Sequence, residues 1–103
     1  MYIVVFITCP DIKEAKKVSD VLLGERMAAC VNIIPNLKSY FWWTGKIHNA
    51  NEVLIVAKTK QKLLRKLVKT VKNNHQYENP EIIALPIVGG SKDYIQWIEE
   101  ETL

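Results

Sequence analysis

The feature that most constrains this chain is a long hairpin within residues 28–60. Two apolar runs flank Thr44 and Gly45, and glycine supplies the positive φ that a tight hairpin turn needs. At about 3.3 Å per residue, the arm over residues 30–43 is predicted to reach roughly 45 Å. A compact domain of this size has a diameter of only about 34 Å. The hairpin is therefore expected to extend past its own domain onto a partner, most simply a second copy of the chain.

Three strands are predicted to be covered on both faces, because they are continuous apolar runs rather than alternating ones. These runs lie within residues 2–7, 53–57 and 82–88. A chain this short supplies helices for one face of a sheet. The other face is therefore expected to meet a partner subunit.

Seven elements are predicted in the order β-α-β-β-α-β-α. The strands are expected at residues 2–7, 28–43, 47–59 and 81–88, and the helices at 11–23, 61–74 and 91–100. Asp11, three residues before Glu14, is typical of a helix start. Pro35 predicts a bulge or an edge position, and Pro86 an edge or a kink.

This order predicts an α+β fold of the ferredoxin-like βαββαβ type. A C-terminal helix and a long hairpin between the second and third strands are added to it. The sheet is expected to be antiparallel, with helices on one face. We expect one domain over residues 1–103.

Composition excludes several classes of protein. No apolar run approaches the ~20 residues of a membrane span, and the N-terminus has no basic n-region. Two cysteines, Cys9 and Cys30, are too few for a disulfide framework or a zinc cage. Both are expected to be reduced, mostly buried thiols. These features predict a cytoplasmic protein without a membrane partner.

The net charge of +3 is unevenly distributed. Seven cations precede the next acidic residue, Glu78: Lys58, Lys60, Lys62, Arg65, Lys66, Lys69 and Lys72. Such a block can bind nucleic acid, or can be the solvated side of an amphipathic helix. The RNA-recognition module shares this fold, but its glycine-aromatic signature strand is absent, which disfavours nucleic-acid binding.

Two segments are candidate sites. The aromatic run at residues 40–43, next to Lys46, is typical of core or interface packing, and alternatively of a stacking platform for a planar ligand. Residues 75–81 combine His75, a tyrosine and carboxylates, which suit copper or zinc; a hydrogen-bonded loop histidine is the alternative. No phosphate loop, nucleophile elbow or HExxH motif occurs, so no enzyme activity is expected.

Together these motifs resemble the CutA family of divalent-cation tolerance proteins. The matching residues are Ala28-Ala29-Cys30-Val31-Asn32, Ser39, Trp43, Gly45-Lys46-Ile47, Glu52, Lys58-Thr59, His75, Tyr77, Pro80-Glu81, Tyr94 and Trp97-Ile98. The resemblance implies a ferredoxin-like protomer in a homotrimer held by the long hairpins. It also implies a role in copper tolerance or metal response, with signal transduction as a further possibility.

Departures from the family pattern affect the implied copper site. Members with such a site use a cysteine near the end of the first strand and two adjacent histidines, whereas this chain has Asn74 before His75 and a shifted Cys9. Gln76 stands where the family usually has proline, and Phe41 where it usually has tyrosine. The resemblance therefore implies at most a weak copper site, with His75 as the ligand carried over.

The leading hypothesis is a homotrimeric, non-enzymatic protein of metal tolerance or signalling. Its clefts between subunits are expected to be lined by Trp43, Lys58, His75, Tyr77, Glu81, Tyr94 and Trp97. One alternative is a sensor of a non-metal small ligand in these clefts. Another is nucleic-acid binding through the basic helix.

Overall fold

The computed structural model describes residues 1–103. Its elements are β1 (Tyr2–Cys9), α1 (Ile12–Gly24), β2 (Cys30–Trp43), β3 (Lys46–Lys60), a 3₁₀ turn (Gln61–Leu63), α2 (Leu64–Asn73), β4 (Ile82–Pro86) and α3 (Lys92–Glu101). The predicted α+β fold of ferredoxin-like type is confirmed. Most boundaries differ from the prediction by a residue or two, and two of the differences have a local cause. The second helix opens with the 3₁₀ turn, where no side chain caps it, and β4 ends at Pro86, after which the antiparallel ladder stops.

The sheet has the order β2-β3-β1-β4, and every pair is antiparallel. Both predicted special positions of proline are found on its edge strands. The register shifts between Ile34 and Leu37, around Pro35, and Pro86 ends the other edge strand. Proline has no N–H to donate, so an edge or a bulge is where a strand tolerates it.

The hairpin turn consists of Thr44 and Gly45, with φ values of 53° and 77°. Two successive positive φ angles make a type I′ turn, whose twist matches that of the flanking strands. The chain measures 44 × 25 × 23 Å along its principal axes. Near the tip, Tyr40 and Trp42 are each 72% exposed. The hairpin therefore extends beyond the compact part of its own protomer.

The core lies between the sheet and the helices α1 and α2. Alternate residues of β1, namely Ile3, Val5 and Ile7, point into it and are at most 5% exposed. Helix α1 begins at the predicted cap, because Asp11 Oδ1 accepts a hydrogen bond from the Glu14 N–H at 2.8 Å. The cap determines where the first turn of α1 lies relative to the end of β1.

The opposite face of the sheet is apolar and only partly covered; we call it the open face. Its exposed or half-buried side chains are Val4, Phe6, Ile34, Leu54, Val56, Ile83 and Leu85. Helix α3 contacts one end of this face, where Tyr2 donates to Glu99 Oε1 at 2.7 Å and Lys60 pairs with Glu99 Oε2 at 2.9 Å. None of the helices has both the length and the apolar character to cross a membrane.

Candidate functional site

Three potential metal ligands converge where β1 ends. Cys9 is the last residue of β1, Glu14 lies in the first turn of α1, and His75 follows α2. One donor atom from each lies within 4.8 Å of the other two. Cys9 is fully buried, and the side chains of His75 and Glu14 are 0% and 2% exposed. The fold therefore buries a thiol, a carboxylate and an imidazole together.

Hydrogen bonds define the orientation and tautomer of His75. Its Nε2 lies 2.7 Å from the Thr8 carbonyl oxygen. A carbonyl only accepts, so Nε2 must carry the proton. In the neutral ring Nδ1 then carries the lone pair, and it accepts from the Tyr77 N–H at 3.0 Å. The same Nδ1 lies 3.2 Å from Glu14 Oε2. Nδ1 thus lies between the Tyr77 N–H and the Glu14 carboxylate.

The thiol of Cys9 is held in its neutral form. Burial raises its pKa to about 12, with further contributions from the negative charges of Glu14, Asp11 and Glu52. Metal ions bind the thiolate rather than the thiol. Coordination by Cys9 near neutral pH therefore requires that a proton leave.

The donor set suits a transition-metal ion. Thiolate and imidazole are ligands of copper and zinc, and a carboxylate completes a three-ligand set of the kind that zinc sites use. Metal-binding histidines usually donate their other N–H to a carbonyl or carboxylate. The Thr8 carbonyl is already in that position for His75. The residues present therefore fit a bound divalent cation.

A groove of about 870 Å³ lies between the hairpin and residues 75–81. Its lining includes the predicted site residues Trp43, Tyr77 and Glu81, together with Glu52. The Tyr77 hydroxyl donates to Glu52 Oε2 at 2.9 Å, and the Tyr77 ring lies 4.9 Å from that of His75. Burial and this hydrogen bond raise the pKa of Tyr77. Tyr77 thus connects the cluster of Cys9, Glu14 and His75 to the groove.

The remaining predicted residues form a second cluster on the open face. Lys58 Nζ lies 3.7 Å from Cys30 Sγ and also contacts Asn32 Oδ1. Burial and a hydrogen bond with the Cys30 side chain raise the pKa of Tyr94, and the rings of Tyr94 and Trp97 are 5.4 Å apart.

Within one protomer, the seven predicted residues therefore form two groups. Trp43, Tyr77 and Glu81 share the groove, with His75 beside it, whereas Lys58, Tyr94 and Trp97 do not line it. Lys58 and the groove residue Glu52 are about 20 Å apart along β3, at about 3.3 Å per residue.

Sequence reasoning assigned no metal-binding role to Glu14 and discounted Cys9. It treated Glu14 as a helix-start signal, and Cys9 as a buried thiol shifted from the position of the family's ligand. A signal for Glu14 was present: it precedes Val18 by four residues and therefore lies on the apolar stripe of α1. A carboxylate on a buried stripe is rare unless it has a partner.

Comparisons with known proteins agree with this architecture. The family profile described as "CutA1 divalent ion tolerance protein" matches residues 3–101. The rice protein "CutA 1, chloroplastic" is 43% identical over 100 residues, which cover 97% of this chain but 56% of the rice protein. The chain thus spans about half the length of that relative.

Solved structures are similar over nearly their full length. The "divalent cation tolerance protein (Cut A1)" of Thermus thermophilus is 42% identical with a TM-score of 0.97, and the match covers 99% of both chains. The "periplasmic divalent cation tolerance protein CutA" of Archaeoglobus fulgidus is 40% identical with a TM-score of 0.95, and the match covers 98% of both.

Proposed function

Because this chain belongs to the CutA1 divalent ion tolerance family, we propose that it acts in divalent-cation tolerance by binding a metal ion. Cys9, Glu14 and His75 are the proposed ligands. The observation that carries this proposal is their burial together, with donor atoms within 4.8 Å of one another. The family name denotes tolerance rather than an enzyme class, and we propose a non-enzymatic role.

The contact between Glu14 and His75 supports a cation at this place. With His75 neutral and Glu14 ionised, two acceptor atoms, Nδ1 and Glu14 Oε2, lie only 3.2 Å apart in a buried site. Each accepts one backbone N–H, but the two acceptors still repel each other, and a proton or a metal ion between them would relieve this repulsion. A bound divalent cation would coordinate both atoms and would also favour the thiolate of Cys9.

Copper is the proposed ion, because thiolate and imidazole are good copper ligands. The weak site expected from His75 alone becomes a three-ligand site once Cys9 and Glu14 are included. Zinc suits the same donors, and it is a useful probe because it does not oxidise thiols.

Calorimetric titration with Cu²⁺ and with Zn²⁺ tests the proposal. His75→Ala, Glu14→Gln and Cys9→Ser should each weaken binding by tenfold or more, because each removes a ligand. The matched controls His48→Ala and Cys30→Ser change the same residue types outside the cluster and should leave binding unchanged. Unaltered binding in all three ligand variants, or no binding by the wild type, would refute the proposal.

Self-association is part of the proposed function. The open face is apolar, and the hairpin tip is exposed, as expected of surfaces that a partner covers. A homotrimer would cover both, and it would allow the Lys58 cluster of one protomer to approach the groove of the next. We propose this assembly in the cytoplasm. The chloroplastic and periplasmic names of two relatives describe those proteins.

A second candidate function is the sensing of a non-metal small ligand in the groove. Its volume of about 870 Å³ falls within the usual range for small-molecule sites, about 300–1,000 Å³. Native mass spectrometry of the protein isolated from cells tests this candidate. A bound organic molecule that is lost in Trp43→Ala and Glu81→Gln would support it, and a protein that carries metal alone would count against it.

A further inference from the structure

We propose that occupation of the Cys9–Glu14–His75 site by a divalent cation rearranges residues 75–81 and thereby changes the groove beside Trp43. This inference rests on the proposed function and adds a mechanism of signalling to it. It follows from hydrogen bonds that the ligand atoms already make. Two of these bonds come from the backbone of Gln76 and Tyr77.

The first bond is incompatible with coordination by His75. A neutral imidazole has one N–H and one lone pair. The N–H, on Nε2, is used by the Thr8 carbonyl. The lone pair, on Nδ1, is used by the Tyr77 N–H. His75 therefore cannot become a ligand through Nδ1 without releasing the Tyr77 N–H.

The second bond involves the other ligand that faces this segment. The Gln76 N–H donates to Glu14 Oε2 at 3.2 Å. Coordination would draw electron density from this oxygen and weaken it as an acceptor. The hydrogen bonds made by the N–H groups of Gln76 and Tyr77 are thus weakened or lost together when Glu14 and His75 become ligands.

Tyr77 extends this change into the groove. Its N–H is attached to His75, while its hydroxyl is attached to Glu52 at 2.9 Å. Residues 75–81 contain no helix or strand, so few other backbone hydrogen bonds oppose a shift. The loop has one further backbone bond to β1, from the Thr8 N–H to the Glu81 carbonyl, and it is long at 3.4 Å. Displacement of Tyr77 would alter the groove wall opposite Trp43.

The site and the loop therefore form a two-state element. In one state His75 accepts from Tyr77, and Tyr77 is held against Glu52. In the other state His75 and Glu14 are ligands, and the backbone of residues 76–77 is released. A switch of this kind needs a local change of bonding and a segment that can take a second arrangement. Coordination by His75 and Glu14 would supply the first, and the lack of helix or strand in residues 75–81 leaves room for the second.

Amide hydrogen exchange measured by NMR, with and without saturating Zn²⁺, tests the inference. Both the Gln76 and the Tyr77 amides should exchange faster with Zn²⁺, Tyr77 by about tenfold, because the Tyr77 N–H loses its hydrogen bond and that of Gln76 is weakened. The Ile55 amide, in the β1–β3 ladder, is the control and should not change. In parallel, the indole N–H resonance of Trp43, assigned with Trp43→Phe, should shift when Zn²⁺ is added.

Tyr77→Phe separates the coupling from binding. It removes the hydroxyl bond to Glu52 but keeps the ring and the N–H. The Zn²⁺ affinity should change less than threefold, while the shift of the Trp43 indole resonance should be lost. Tyr94→Phe, which alters a tyrosine of the other cluster, should keep both.

The outcomes distinguish this inference from the proposed function. If Zn²⁺ binds by calorimetry but the Gln76 and Tyr77 amides keep their protection, the coupling is refuted and the metal site stands. If the Trp43 response survives in Tyr77→Phe, the route through Glu52 is refuted. If Zn²⁺ does not bind at all, the proposed function fails and the switch fails with it.

Discussion

Metal affinity should rise steeply with pH, because Cys9 must lose a proton before it can act as a ligand. The folded protein raises the pKa of this thiol from 9.0 to about 12. At any pH below this raised value the protonated form dominates, and the fraction of thiolate grows about tenfold per pH unit. Apparent affinity should follow this fraction, since binding and proton release are linked. It should therefore fall as pH is lowered.

The magnitude distinguishes a raised pKa from an ordinary one. Between about pH 8 and pH 10 a thiol of pKa about 12 predicts a rise in affinity of about a hundredfold, or about 2.7 kcal/mol. A thiol that kept its ordinary pKa of 9.0 would be half ionised at about pH 9, in the middle of this range. It would allow a rise of only about tenfold over the same range.

Competition with a chelator of known proton equilibria measures this dependence for Zn²⁺. Calorimetry in buffers of different ionisation enthalpy should also show about one proton released from Cys9 for each ion bound. In Cys9→Ser the affinity should be lower and its pH dependence shallower, whereas Cys30→Ser should behave as the wild type. A slope that is flat, or one that persists unchanged in Cys9→Ser, would refute the role assigned to Cys9.

Three further predictions concern assembly and local structure. Sedimentation should show a trimer at micromolar concentration; Val56→Asp, on the open face, should dissociate it, whereas the surface change Lys66→Asp should not. Trp43 is 47% exposed in the protomer; if the assembly buries it, Trp43→Ala should lower the free energy of unfolding of the assembly by about 3–5 kcal/mol. An unchanged trimer of unchanged stability would show that Trp43 stays exposed in the assembly. Asp11→Ala should cost about 0.5–2 kcal/mol in denaturant titrations. It should also weaken Zn²⁺ binding, because the cap positions Glu14; full affinity in a destabilised variant would contradict this.

Much of the fold could be predicted from the sequence, because the determining interactions are local. The Asp11 cap joins groups three residues apart. Gly45 supplies a positive φ within the turn itself. Pro35 and Pro86 restrict strands through their own missing N–H. The alternation of side chains between the two faces of a strand likewise depends only on neighbouring residues.

The composition of the site could be predicted only in part. Tyr77 and Glu81 lie in one groove with Trp43, beside His75; three of these four residues share one short segment, and the family resemblance supplied Trp43. A ligand-binding role for them stays a prediction. The groove between that segment and the hairpin, however, depends on the bulge and register of β2 against β3. No pattern of neighbouring residues specifies how β2 and β3 are paired.

Residue types and their spacing thus determined the strands, the turn, the helix start and the candidate segment around His75. The tertiary structure alone decided that Cys9 and Glu14 would meet His75, and that Lys58 would not line the groove of its own protomer. Glu14 and Gln76 are bonded across 62 positions of sequence. Contacts of that separation arise from packing α1 and the loop after α2 against the end of β1. They are decided by the burial of the whole core, whereas a sequence pattern reflects only the preferences of each segment.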